Sequence, residues 1–243
     1  GNTTFSGTIS ASAFFGDGSK LTDLPSSSGL QSITESSKTG YRRADADPLN
    51  YGNIGLGAVD LSYSFSSGAF GATGDYSTAM GYYTIANGIT STAMGFTTTA
   101  SGGYSTAMGE GTIASGDYST AMGVYTTASG DYSTAMGVYT TASGNISTAM
   151  GNNTTASGEN STAMGVGTSA LSNGETAIGS HNTTYTPTSN TAWDAADRLF
   201  VIGNGPPGGI PSDALVMLKN GNTTFSGTIS ATEFVGDGSK LTN

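Results

Sequence analysis

The sequence predicts an all-β chain organised as a parallel β-solenoid of 14-residue coils, with β-rich caps on both flanks. Three observations carry this expectation. The word Ser-Thr-Ala-Met-Gly recurs with its glycine at Gly81, Gly95, Gly109, Gly123, Gly137, Gly151 and Gly165, and a variant, Glu175-Thr176-Ala177-Ile178-Gly179, closes the series. Each copy follows the last after 14 residues. A second word, Thr-Ala-Ser-Gly at 127–130, 141–144 and 155–158, keeps the same phase. A short period held over so many copies marks an array of stacked units and outranks local propensity.

Composition fits no ordinary globule. Only 10% of the residues are charged and 38 are glycine. Such a Gly/Ser/Thr-rich chain would read as disordered, but Met, Ala and Gly hold one phase throughout. The glycines do not fall at every third position, so collagen is excluded. The net charge is −10, and no Lys or Arg lies between Arg43 and Arg198. Nucleic acid and anionic membrane surfaces are therefore not expected partners, because both are held by basic side chains. The absence of cysteine removes disulfides and thiolate metal sites. The composition is compatible with export. No signal peptide and no apolar run of about 18 residues is visible, so no membrane insertion is expected in this sequence, and any anchor would lie elsewhere.

The elements follow in chain order. Residues 1–23 form a β-rich connector with short strands around Phe5, Ile9 and Phe14. Residues 221–243 repeat it with 19 of 23 positions identical. One reading makes residues 221–243 the start of the next unit of a tandem array. The other makes the two segments copies of a capping module, one at each end. Residues 24–71 are a lead-in or N-terminal cap: a flexible join at Pro25–Gly29, a strand at Leu30–Glu35, a charge cluster at Tyr41–Pro48 expected to form local salt bridges and turns, and a strand at Ala58–Ser62. The repeats occupy 72–179. Residues 180–220 leave the period: a polar loop from His181 to Thr191, an apolar strand at Leu199–Ile202, a Gly/Pro-rich turn and a strand at Asp213–Leu218. They read as a β-hairpin cap, which a solenoid needs because its ends expose apolar rungs and unpaired strand edges.

Fourteen residues are too few for a coil containing a helix. They fit two strands of about five residues and two tight turns. The word glycines Gly81 to Gly179 are placed at coil corners, where positive φ or close backbone approach favours glycine. Stacked coils set equivalent residues about 4.8 Å apart. Side chains alternate faces along a strand. Thr134 and Met136 therefore share one face, while Ser133 and Ala135 share the other. Neither face is charged, so both are expected to be covered. The Met column (Met80, Met94, Met108, Met122, Met136, Met150, Met164) is expected to line the coil's own core. The Ala column (Ala79, Ala93, Ala107, Ala121, Ala135, Ala149, Ala163), with Ser, is expected to meet neighbouring chains. In the second strand, Thr140 and Ala142 share a face, and Tyr139 looks to solvent. A core of one Met, one Ala and two Thr per coil is thin. This points to an oligomer without fixing its number of chains.

The words Ser-Thr-Ala-Met-Gly and Ala-Ser-Gly at this period resemble the head repeats of trimeric autotransporter adhesins of the YadA type, which carry Ser-Val-Ala-Ile-Gly followed by Ala-x-Gly. The resemblance covers residues 72–179. It implies a left-handed parallel β-roll, three rolls joined about an axis as a homotrimer, and a rod-like extracellular head. Met in place of Ile and Thr in place of Val keep the alternation. No stalk or anchor accompanies the repeats, so autotransport itself is not implied. The flanks Asp197–Gly205 and Phe234–Ser239 look like pieces of phage tail fibres and long bacterial surface fibres that reuse the same head repeat.

The sequence offers no catalytic set, cofactor motif or metal-ligand set. His181 stands alone as a loop residue. Asp117 and Asp131 lie one coil apart, and turn carboxylates suit calcium, but their column reads Ile89, Gly103, Asp117, Asp131, Asn145, Glu159, which favours polar turn residues. Asp17-Gly18 and Asp237-Gly238 read as hairpin turns. The sequon Asn182-Thr183-Thr184 carries little weight in a Thr-rich chain. Tyr76, Tyr104, Tyr118 and Tyr132 share a phase, as a stacked aromatic column or a glycan- or protein-binding stripe. An ice-binding Thr array is broken by Tyr, Gly and Asn at the 139-equivalent positions. The expected function is a structural extracellular fibre, one unit of a tandem array with end-to-end neighbours. The alternative is an adhesin or tail-fibre head that binds a host glycan or protein through its outer face. No enzyme is expected.

Overall fold

The computed structural model describes residues 29–66, 68–233 and 235–236. The expected connector at 1–23, the Pro25–Ser28 join and the turns at Asp17-Gly18 and Asp237-Gly238 lie outside the described residues. Residues 71–180 form a solenoid of two parallel sheets. Each coil contributes a long rung of five residues, such as Thr134–Val138, to one sheet and a short rung of two, such as Thr141–Ala142, to the other. Stacking is in register at one period: Thr120 on Thr134, Ala121 on Ala135 and Met122 on Met136, and likewise Thr127 on Thr141. Each coil thus pairs five residues against two, rather than two strands of equal length. Among the described residues the one helix is a single turn at Pro48–Asn50, and none is long and apolar enough to cross a membrane.

The short rung is cut to two residues by left-handed corners on both sides. Positive φ occurs at every seventh residue from Tyr76 to His181, including Tyr132 (57°), Tyr139 (53°) and Ile146 (58°). At one corner Ser133 N–H donates to Gly130 O across 3.2 Å, closing a four-residue turn around Asp131 and Tyr132. The corners therefore belong to these residues and not to the word glycines. Gly81, Gly95, Gly109, Gly123, Gly137, Gly151 and Gly165 sit fourth in their long rungs, with φ between 117° and 128°, and Gly179 occupies the same place at 98°. A Cβ on Gly137 would strike the carbonyl oxygen of Gly151, and the same collision recurs up the column. Close approach of stacked backbones, rather than corner geometry, is what requires glycine there.

The two faces of the long rung are assigned the other way round from the sequence expectation. Ala79, Ala93, Ala107, Ala121, Ala135, Ala149 and Ala163 are fully buried, as are the short-rung alanines from Ala72 to Ala170. Ser77 to Ser161 and Thr84 to Thr168 complete the interior. The methionines face outward, and Met80, Met150 and Met164 are 36%, 37% and 41% exposed. Alternation separates the faces but does not say which is inside. A coil with a two-residue rung on its far side has room for Ser, Ala and Thr, and not for Met. This interior carries a cost. The Thr84, Thr98, Thr112, Thr126, Thr140, Thr154 and Thr168 hydroxyls have no partner among the described residues, while Ser77, Ser91 and Ser105 donate across 2.7 Å to the carbonyls of Gly74, Gly88 and Gly102.

Polar pairs and an aliphatic side chain close the two ends. A hairpin of Leu30–Glu35 and Lys38–Arg43 leads, through a parallel step at Tyr41 and Val59, to the rung Val59–Tyr63. Asp60 takes the interior Ala column, opposite Ala79, and is fully buried. Arg42 supplies its counter-charge at 3.2 Å and also binds Glu35 at 3.2 Å and Gly52 O at 2.8 Å. Within the Tyr41–Pro48 cluster Arg43 pairs with Asp45 and Asp47 caps the Pro48–Asn50 turn by accepting from Leu49 N–H at 3.0 Å, whereas Arg42 pairs outside the cluster. At the other end, Arg198–Asn204 stacks parallel on Thr176–Ser180 and places Val201 on Ala177, continuing the interior column. Asp213–Leu218 then pairs antiparallel with it, and Thr223–Phe225 adds a further antiparallel strand. The cap sheet therefore continues past residue 220 into the segment that repeats residues 1–23.

Candidate functional site: the outer face of the long rungs

Three outward positions per coil build one surface: Thr120, Met122 and Val124 in one rung, and Thr134, Met136 and Val138 in the next. The first position is Thr in all eight rungs, the second is Met until Ile178, and the third reads Tyr82, Phe96, Glu110, Val124, Val138, Asn152, Val166 and Ser180. Glu110 is the one charge on this stripe, which rises roughly 35 Å over eight rungs. Aromatic rings extend it at the N-terminal end. Tyr82 stacks on Phe96 at 5.4 Å and on Tyr63 at 6.0 Å, and Phe65 packs edge-on to Tyr63 at 5.1 Å while remaining 62% exposed. A contiguous face of this kind with a single charge marks an interaction surface.

The corners are built differently. Tyr104, Tyr118 and Tyr132 stack at 4.8 and 4.9 Å with nearly parallel rings, and Tyr125 stacks on Tyr139 at 5.4 Å. Tyr76 shares the first column but is separated from the stack by Thr90. The Asp117 carboxylate accepts from Gly103 N–H at 2.8 Å, Asp131 from Asp117 N–H at 3.0 Å and the Asn145 amide oxygen from Asp131 N–H at 3.1 Å. These acidic side chains thus serve as acceptors for the coil beneath. No group of three or more His, Asp or Glu side chains that could hold a metal is found among the described residues.

His181 occupies a left-handed corner, and its Nδ1 lies 2.8 Å from Ser180 Oγ. Asn182, the sequon residue, is buried. Its amide accepts from Ser169 N–H at 2.8 Å and donates to Ser169 O at 3.0 Å, so one side chain continues the short-rung ladder. Glu175 takes the interior Ser position of the last word and is fully buried. One of its oxygens accepts from Leu171 N–H at 2.8 Å and Ser172 N–H at 2.9 Å, while the other is unpartnered among the described residues. Burial pushes this carboxyl above its ordinary range, and the two N–H bonds only partly offset it. The repeat phase carried the signal for Glu175, an acid standing where every other word has Ser. The sequence marked Asn182 only as a sequon residue, and nothing in it announced a ladder role.

Each coil of this parallel solenoid adds one rung to a half-exposed sheet face that bears a single charge. The repeats can be assigned more closely: the family model for the YadA head domain repeat, two copies long, matches at 72–98, 86–112, 100–126, 114–140, 128–154, 142–168 and 156–182. Residues 72–182, a little under half of the chain, are thus YadA-like head repeats. No curated protein matches the chain.

Proposed function

We propose that the chain is a unit of an extracellular fibre in which three rolls join through their long-rung faces as a homotrimer. The Thr/Met/Val stripe carries this reading. It is partly exposed in the single chain, runs the length of the roll and bears one charge, so a threefold assembly would bury three copies against one another. The YadA head family is itself trimeric. The interface is thus expected on Met80, Met94, Met108, Met122, Met136, Met150 and Met164, and the Ala column keeps to the core of each chain. The near-identity of 1–23 and 221–243 supports a tandem array with end-to-end neighbours. Pairing of Thr223–Phe225 with the cap supports a connector shared between successive units.

Adhesion through the outer surface is the second reading. The exposed tyrosine columns favour it, since stacked, solvent-facing rings contribute nothing to a coil's interior. The setting is a bacterial cell surface or a virion tail fibre.

The experiment is a solution mass measurement. The expected mass is three times the 24.2 kDa chain. In the double variant Met122→Lys and Met136→Lys, six unpaired charges would enter the trimer core, and the expected product is a monomer. A stable monomer of the unaltered chain would sink the fibre reading.

A further inference from the structure

Past Ser180 the chain does not form another coil. It folds back as an arm over the corners of the last coils, and polar bonds along its length pin it there. Asn182 holds its start through Ser169. Tyr185 Oη accepts from Arg198 N–H at 3.0 Å, and the buried Asp197 carboxylate accepts from Thr188 N–H at 2.7 Å and Ser189 N–H at 3.0 Å. The Asn190 carbonyl accepts from Glu159 N–H at 2.7 Å, and Asn173 Nδ2 donates to Thr191 O at 3.2 Å. Between arm and corners lie two adjoining cavities of about 430 and 150 Å³, which share Ser157 and Asn190 in their walls. The larger is within the range of small-ligand sites.

The chemistry of these walls is selective. They carry no Lys or Arg, and Glu159 is their one charge. An anionic ligand would lack a counter-ion. The rest is hydroxyl and amide, groups that both donate and accept, beside the apolar surfaces of Tyr185, Pro187 and Leu171. The Tyr185 ring is braced by the Arg198 guanidinium, 4.5 Å from its centroid. One backbone donor is open as well. The corner ladder gives Gly103, Asp117 and Asp131 N–H a side-chain acceptor from the next coil, but Glu159 does not supply one to Asn145. Asn145 N–H has no acceptor among the described residues, and Asn145 lines the smaller cavity.

We infer that this groove binds a neutral oligosaccharide. Sugars present hydroxyl edges and apolar C–H faces in alternation. The groove offers dense hydroxyls and amides, an open N–H, and a fixed aromatic ring beside proline. Because the arm is already held in place, little ordering cost falls on binding. Ser157 follows the short rung Thr155–Ala156, on the sheet opposite the Met stripe, so joining three rolls through their long rungs leaves the groove open. The inference rests on the surface-protein reading and deepens its adhesive form.

The test probes the whole chain against immobilised neutral oligosaccharides, sulfated and sialylated ones, and extracellular-matrix proteins, alongside two variants. Asn190→Ala removes a side-chain amide and keeps the carbonyl bonded to Glu159. Ser157→Leu fills the wall common to both cavities, and the coil tolerates Leu in this column because Leu171 stands one period later. The expected result is binding to a neutral sugar, weakened about tenfold by each variant, which is about 1.4 kcal/mol, with the solution mass unchanged. Sugar binding that survives both variants, or a preference for anionic sugars, overturns the groove assignment. Binding to a matrix protein without sugar binding overturns it and leaves the adhesive reading standing. Silence on every surface overturns both.

Discussion

Single residues at the coil corners bear strain that the repeat does not advertise. A left-handed backbone is tolerated by Gly and Asn and is a true outlier for a β-branched residue. Ile146 holds φ of 58° and is 55% exposed, so it gains little burial in return. Ile146→Asn should raise the urea midpoint, by about 1 kcal/mol of stability. Tyr118→Asn in the same column should gain nothing, because it forfeits stacking on Tyr104 and Tyr132. Glu175 gives the second prediction. Burial raises its folded pKa, so its contribution to stability is fully present below the ordinary glutamate value of 4.5 and is lost as pH rises through the raised value. The urea midpoint should therefore fall over that window, and Glu175→Gln should flatten the dependence. The column of each residue was legible from phase alone. The left-handed corners were not, because Tyr, Ile and Thr are the wrong residues to announce them.

At the scale of the coil, the glycine column is what lets rungs stack in register. Gly123 holds φ of 128°, and a Cβ there would meet the Gly137 carbonyl oxygen. Gly123→Ala should cost about 3 kcal/mol or more in chemical denaturation, whereas Ser129→Ala, on an exposed position of the same coil, should stay within about 0.5 kcal/mol. The words predicted glycine's importance and its spacing but misplaced it at the corners, since a sequence period fixes recurrence and not position around the coil. The same limit inverted the faces. Ser/Ala against Thr/Met was readable from alternation, but the volume available inside depends on the short rung opposite, which two left-handed residues cut to Thr141–Ala142.

For the whole molecule, the question is what stops a roll whose every rung templates the next. At the N-terminal end a buried ion pair, Arg42 with Asp60, stands in the Ala column. At the C-terminal end Val201 fills that column, Asn182 extends the short-rung ladder and the antiparallel strands turn the sheet aside. A chain ending at Ser180 would leave the Thr176–Ser180 edge unpaired and should associate end to end, visible as light scattering at concentrations where the intact chain has one defined mass. A truncated chain as well behaved as the intact one would show that the cap is not the stop. The cap strands at Leu199–Ile202 and Asp213–Leu218 were legible as apolar runs between turns. Asp60 as an interior residue was not, because an aspartate is buried only when a distant arginine is brought to it.

The period, the all-β solenoid, the two chemically distinct faces, the hairpin cap and the likeness to YadA-like head repeats were all legible in the amino-acid order, since each is a matter of spacing and alternation along one chain. The tertiary structure alone decided which face is core, where the chain turns, how the ends are closed and where an arm folds back to form a groove. Those depend on interior volume, on backbone conformations that side-chain identity does not encode, and on contacts between residues remote in the chain.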